Sequence, residues 1–320
     1  MVCTPHFNLD LLLASAVPVL DPASKDAAAL RSLFLVVFVI CLAILIVVVA
    51  LICTSLFRSR ASGGQMPQQA FGRRRSEIAW AVPPVLIVLA LSLLSAKAIV
   101  SDTADAGEAD VVVVGHQWWW EVRYPGSDAV TANEIHIPIG RRLRVRLDSA
   151  DVIHSFWVPQ LGPKKDMIRG HPNVLWLRAD CAGTYEGACS EFCGDQHAWM
   201  RFIVVAEPQP QFKQWLERQA RPAANPVNES AQAGKTFFVA QTCANCHAVR
   251  GSTADATAGP DLTHLASRRQ LAAGLMDNTP QNLARWLKNP QKLKPGCQMP
   301  NFSLTDEQVT QLVVYLEELR

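Results

Sequence analysis

Cys189-Ser-Glu191-Phe-Cys193-Gly-Asp-Gln-His197-Ala-Trp-Met200 puts two thiols, an imidazole and a thioether within twelve residues. Soft sulfur with imidazole selects copper or zinc over magnesium or calcium. The chain on the N-terminal side of this loop reads as β structure. Leu143, Val145 and Leu147 alternate with Arg142, Arg144 and Arg146, one face buried and one wet. Glu134, His136 and Pro138 alternate with Ile135, Ile137 and Ile139 in the same way. Residues 174–177 and 202–205 are further short strands, and Pro125-Gly126 and Gly162-Pro163 are turns between strands. Short strands over roughly 100 residues predict a sandwich or barrel.

A Cys, His and Met on one loop of such a sandwich, with a second His from a distant strand, is the ligand set of a mononuclear electron-transfer copper. The extra Cys lets two thiolates bridge a pair of coppers. His154, in Val-Ile-His-Ser-Phe-Trp-Val-Pro159, is the expected distant ligand. An imidazole on an apolar strand is costly to bury without a partner. The plainer alternative is a core histidine satisfied by neighbouring groups.

Working outward, Arg221-Pro-Ala-Ala-Asn-Pro226 is a polar linker after a short helix near residues 211–219. Beyond it the pattern is helical, over 230–241, 279–288 and 305–319. Cys243-Ala-Asn-Cys246-His247 is the attachment motif of a c-type haem, expected on a helix, with His247 reaching the iron. A thioredoxin-like pair or half a zinc site leaves the adjacent His unexplained. The sixth iron ligand is expected to be Met299, in Pro-Gly-Cys-Gln-Met299-Pro300, with Met276 as the competitor. Gly259-Pro260, Thr279-Pro280, Trp286 and Met299-Pro300 resemble the pattern of small class I cytochromes c. Cys297 reads as a free thiol and His264 as a surface or packing residue.

The N-terminal third is different. Residues 33–57 form a 25-residue run without a charge, and residues 78–96 add 19 more, interrupted only by Pro83-Pro84. Each can cross a hydrocarbon core of roughly 30 Å. The connecting segment holds Arg58, Arg60, Arg73, Arg74 and Arg75 against Glu77 alone, which places it in the cytoplasm and the rest of the chain outside. Residues 11–20 resemble a poor signal-peptide core, with Asp10 and the lack of basic residues against it. In an oxidising compartment, Cys189 with Cys193 and Cys243 with Cys246 would ordinarily suggest disulfides. The histidines beside them favour metal and haem instead. Net charge is only +2, with no basic tail or stripe, so nucleic acid is not expected as a partner.

Gly115-His-Gln-Trp118-Trp-Trp120, His154-Ser155 and the Cys189–Met200 loop together resemble subunit II of haem–copper cytochrome c oxidases over residues 30 to 206. With the C-terminal haem motif, the whole resembles the cytochrome c-fused subunit II of caa-type oxidases. The resemblance implies a binuclear CuA centre held by His154, Cys189, Cys193, His197, Met200 and the backbone carbonyl of Glu191. It implies that the Glu191 side chain helps bind magnesium at the boundary with subunit I. Trp118 falls where electrons enter the family's copper domain, and Glu77 falls near the mouth of a proton pathway. Position 119 is Trp where the family usually has Tyr.

The expected architecture is a multi-domain membrane protein. It comprises an N-terminal segment (1–29), a two-helix transmembrane hairpin (30–100), an all-β cupredoxin-like sandwich (101–206), a helix and linker (207–228) and an all-α class I cytochrome c domain (229–320). The expected function is electron transfer from a cytochrome c donor through haem c and CuA to subunit I of a terminal oxidase, where oxygen is reduced with proton translocation. Subunit I, subunit III and membrane lipid are the expected partners. The expected location is the bacterial inner membrane, multi-pass, with the metal domains on the periplasmic side. The alternatives are the corresponding subunit of a nitrogen-oxide reductase, a free membrane-anchored carrier, and a structural disulfide protein.

Overall fold

The computed structural model describes residues 19–58, 72–100 and 107–320. Most of the signal-like stretch, Arg60 and the start of the acidic run after the second apolar segment lie outside the described residues. The chain divides into two compact units, residues 29–103 and the remainder.

The smaller unit holds two apolar helices, α1 (Lys25–Arg58), which begins in the larger unit, and α2 (Arg74–Val100). Both are long and apolar enough to cross a membrane. Their large side chains, such as Leu45, Leu51, Val85 and Leu93, are exposed, as lipid-facing residues are. Pro83 and Pro84 sit inside α2 without ending it.

In the larger unit, ten strands form two five-stranded sheets. The first runs β3 (Val130–Ala132), β2 (Trp119–Arg123), β1 (Val111–His116), β5 (Leu143–Ser149), β8 (Asn173–Leu177). The second runs β4 (Glu134–Pro138), β10 (Arg201–Glu207), β9 (Gly183–Cys189), β6 (His154–Trp157), β7 (Lys165–Met167). Pairs β1·β5 and β4·β10 are parallel and the other ladders antiparallel. The core between the sheets holds Trp120, Ile135, Leu147, Phe156 and Phe202, all essentially inaccessible. Strand β5 alternates as expected, with Leu143, Val145 and Leu147 inside.

Strand β4 departs from the expectation, because its polar face is buried too. His136 lies flat under Trp215 of α3 (Gln209–Gln219), ring centroids 3.9 Å apart, and bonds Glu134 at 2.7 Å and Glu207 at 2.9 Å. A residue distant in sequence covers what local alternation marks as wet.

The C-terminal helices are α4 (Glu229–Ala240), α5 (Pro280–Lys288), α6 (Pro290–Leu293) and α7 (Asp306–Glu317). Asn228, Thr279 and Thr305 cap the starts of α4, α5 and α7. Helices α4 and α7 cross at Gly234, where a Cβ would collide with the main-chain oxygen of Gln311. Around this crossing Phe238, Leu283, Leu312, Tyr315 and Leu316 form a second core. The haem motif starts on a 3-10 turn, Thr242–Asn245, with Cys246 as its C-cap and His247 beyond it, rather than on the expected helix. Gln241 is extended, with ψ 179°, and breaks α4 just before it. His264 is buried, 2% exposed, and bonds the Arg221 carbonyl at 2.9 Å, so it packs the linker and is not a surface residue.

Candidate metal and haem centres

The ladder between β6 and β9 pairs Phe156 with Cys189, which sets the end of β9 beside His154 at the start of β6. The loop after β9 closes on itself. Cys189 N donates to Met200 O at 3.0 Å, and Ser190 N donates to Ser155 O at 2.9 Å. His197–Trp199 forms a 3-10 turn inside it, and Gly194 takes φ +111°.

The potential ligands converge. The sulfurs of Cys189 and Cys193 are 3.8 Å apart. His154 Nδ1 is 3.8 Å from Cys189 Sγ, and His197 Nδ1 is 3.6 Å from Cys193 Sγ. Met200 Sδ is 3.8 Å from Cys193 Sγ, and the Glu191 carbonyl is 3.2 Å from Cys189 Sγ. His154, Cys189, Cys193 and Met200 are buried, while the Glu191 side chain is exposed.

The chemistry of this donor set fits a soft cation. The Cys193 thiol bonded to Cys189, together with His154, holds the Cys189 thiol well below the ordinary cysteine range despite burial. The Cys189 thiolate and burial in turn push the Cys193 thiol up. Two thiolates this close ionise together only with positive charge between them, and a bound metal supplies it. The imidazole of His154 is also oriented. Its Nε2–H donates to Asp151 Oδ1 at 2.8 Å, which leaves Nδ1 free toward the sulfurs. Gly115 makes room for that ring, since a Cβ there would sit 2.8 Å from His154 Cδ2.

A second site is a cavity of about 500 Å³ in the helical region, lined by Cys243, Cys246, His247, Leu262, Trp286 and Met299, within the range of cofactor sites. Met276 is not among the lining residues. His247 Nδ1 bonds the Pro260 carbonyl at 2.8 Å, which frees Nε2, and burial holds the ring neutral. Gly259 packs flat on it, because a Cβ would lie 2.5 Å from His247 Cε1. Arg268, also on the cavity wall, is buried, and its Nε has no partner among the described residues. An orphaned guanidinium nitrogen fits an anionic cofactor edge. The donor set and this orphan together fit a thioether-linked haem.

The cavity is not lined by helices alone. His116, Gln117, Trp118 and Trp119 of the sandwich form part of its wall. Trp118 Nε1–H donates to the Cys193 carbonyl at 3.0 Å, and Gln117 Nε2–H to the same oxygen at 2.8 Å. Trp119 stacks on His116, with centroids 4.2 Å apart.

Three family profiles match the chain. "Cytochrome C oxidase subunit II, transmembrane domain" covers residues 14–98, "Cytochrome C oxidase subunit II, periplasmic domain" 127–207, and "Cytochrome c" 231–320. Cytochrome c oxidase subunit 2 of Alkalihalophilus pseudofirmus is 32% identical over 311 residues, 94% of this chain and 90% of that protein. The chain belongs to the cytochrome c oxidase subunit II family. The same subunit of Bacillus sp. strain PS3 is 31% identical, over 82% of this chain and 79% of that protein. The crystal structure of the periplasmic domain of subunit II of cytochrome oxidase of Bradyrhizobium japonicum is 29% identical, covers 37% of this chain and 96% of that one, and has a TM-score of 0.35.

As an oxidase subunit II, the chain is part of an oxidase complex and implies a subunit I partner. The subunit II domain implies copper and the cytochrome c domain implies haem c. The transmembrane and periplasmic matches describe a membrane-anchored chain with its sandwich outside. Of the residues singled out in the sequence, the structure brings His154, Cys189, Glu191, Cys193, His197 and Met200 to one cluster. It brings Cys243, Cys246, His247, Met299 and Trp118 to one cavity. Glu77 lies exposed in the first turn of α2, in the other unit. Sequence reasoning missed Asp151, Gln117 and Lys294. Asp151 sits three residues before His154, a spacing that could have drawn attention to it. Gln117 lies within the quoted 115–120 motif without a role assigned to it there, and Lys294 carries no local signal.

Proposed function

We propose that this subunit II is the electron-transfer arm of a terminal oxidase, passing electrons from a cytochrome c donor by way of a covalent haem c and a binuclear CuA centre to subunit I. Oxygen is reduced there with proton translocation. Haem c and CuA, when bound, supply one-electron carriers whose surroundings change little between redox states.

The residues have separate tasks. Cys243 and Cys246 would hold the haem covalently, with His247 and Met299 on its iron. His154, Cys189, Cys193, His197, Met200 and the Glu191 carbonyl would hold the copper pair. Asp151 orients His154, and the Pro260 carbonyl orients His247. The apolar packing of Phe156, Phe202 and Trp120 excludes water behind the copper loop. Trp118 is the bridge between the sites, since it lines the haem cavity and its Nε1–H bonds the Cys193 carbonyl. That single observation carries the reading. The exposed Glu191 carboxylate is free to meet magnesium at the subunit I boundary, and Glu77 would stand at the mouth of a proton pathway. Subunit III completes the complex, in the bacterial inner membrane, with this chain crossing it twice.

The test is metal and haem analysis of the purified complex with its visible and near-infrared spectrum. A copper pair and one covalent haem per chain are expected. Zinc, or a single copper, would refute the binuclear assignment.

A further inference from the structure

A buried cation sits in the seam between the sandwich and the helical domain. Lys294 is 3% exposed. Its Nζ donates to the carbonyls of Trp199 and Ala272 at 3.0 Å each and of Trp118 at 3.4 Å. All three ammonium donors are thereby used. Two of the acceptors belong to the sandwich: Trp199 lies in the copper loop, just before Met200, and Trp118 bonds Cys193. The lysine itself stands five residues before Met299.

A second observation lies on the same wall of the seam as Lys294. Ala272 and Ala273 have φ of 54° and 61°, the left-handed region that is costly for alanine. Lys294 takes the Ala272 carbonyl, and the Arg201 amide, on the sandwich, takes that of Ala273 at 3.1 Å. The Arg269 amide donates back to Glu134 Oε2 at 3.0 Å, and Gln196 Nε2–H donates to the Pro295 carbonyl. The strained turn is held by Lys294 from its own side and by the Arg201 amide from across the seam, and such backbone persists only where its surroundings over-determine it.

We propose that Lys294 is a positioning residue, a clasp that fixes the Met299-bearing loop against Trp118 and the copper loop so that electrons cross a permanent contact and not a tethered, diffusing one. The inference rests on the electron-transfer reading above. A flexible tether would give only an effective concentration of order millimolar. A clasped seam removes the search altogether.

The test compares wild type, Lys294→Met and Lys294→Gln in the full oxidase complex. Hydrogen exchange is followed at the Arg201 and Arg269 amides, which report the seam, and at Val113 and Val145, which report the sandwich interior. Haem-to-copper electron transfer is followed with added viscogen. Leaving buried carbonyls without donors should speed exchange at Arg201 and Arg269 about tenfold or more in Lys294→Met, with Val113 and Val145 unchanged. Electron arrival should become slower and viscosity-dependent. Lys294→Gln, which keeps two donors, should fall between, and it serves if the Met variant fails to load haem. Unchanged exchange at the seam overturns the proposal. So does equal acceleration at Val113 and Val145, or an opened seam with wild-type, viscosity-independent transfer. A wild type lacking the copper band would defeat the electron-transfer reading while the exchange result still judges the clasp.

Discussion

The indole Nε1–H of Trp118 is bonded to the main-chain oxygen of Cys193 at 3.0 Å, while Trp118 and Met299 both line the cavity beside it. One residue therefore stands at both candidate sites. Replacing it with Phe keeps the aromatic volume and deletes the donor. Trp118→Phe should load copper and haem normally and lose about 1 kcal/mol of stability. Electron arrival at copper after haem reduction should slow, as read by stopped-flow absorbance.

Asp151 accepts from His154 Nε2–H and from the Gln117 amide, at 2.8 and 2.7 Å. Partners behind metal-bound histidines typically carry 10–100-fold in metal affinity. Asp151→Asn should accordingly retain the fold but release copper to a chelator at concentrations about 10–100-fold lower than wild type requires.

The His136 network sets a pH dependence. Burial opposes its imidazolium, but hydrogen bonds and charge from Glu134 and Glu207 outweigh burial and raise its pKa above the ordinary 6.5. Burial likewise opposes the Glu134 carboxylate, yet His136 and the Arg269 amide hold its pKa below the ordinary 4.5. The His136 contribution is complete below 6.5 and lost as pH rises through its raised value. The Glu134 contribution is complete above 4.5 and lost as pH falls through its lowered value. The network is thus fully formed between these limits. Glu134→Gln should cost about 1–3 kcal/mol there, and the difference in Tm from wild type should shrink toward both extremes of a pH series.

Gly234 and Gly259 are tests of close approach. A methyl group at Gly234 drives α4 off α7 at the Gln311 carbonyl, and one at Gly259 displaces His247. Each alanine substitution should cost about 1–3 kcal/mol from overpacking. Only Gly259→Ala should also alter the haem spectrum, because only it displaces His247, the proposed iron ligand.

What was legible in the sequence was local. Cys189 to Met200 carries its donors on one loop, Cys243 to His247 on one turn, and the two apolar helices announce themselves by length. The burial of Glu134 and His136 was not legible, because Trp215 lies about eighty residues further along the chain and no alternation within β4 reports it. The same holds for the packed linker, where Ala223 N bonds the Arg250 carbonyl and the Arg221 carbonyl is taken by His264. Lys294 reads as an ordinary surface lysine, since a charge satisfied by distant carbonyls leaves no trace in its neighbours.

The central claim is settled most directly by rapid reduction of the haem in the intact complex while the near-infrared band of the copper pair is recorded. The account predicts a band that bleaches as the haem reoxidises, with a rate independent of protein concentration. A band that is missing, or that stays oxidised beside a reduced haem, would contradict it.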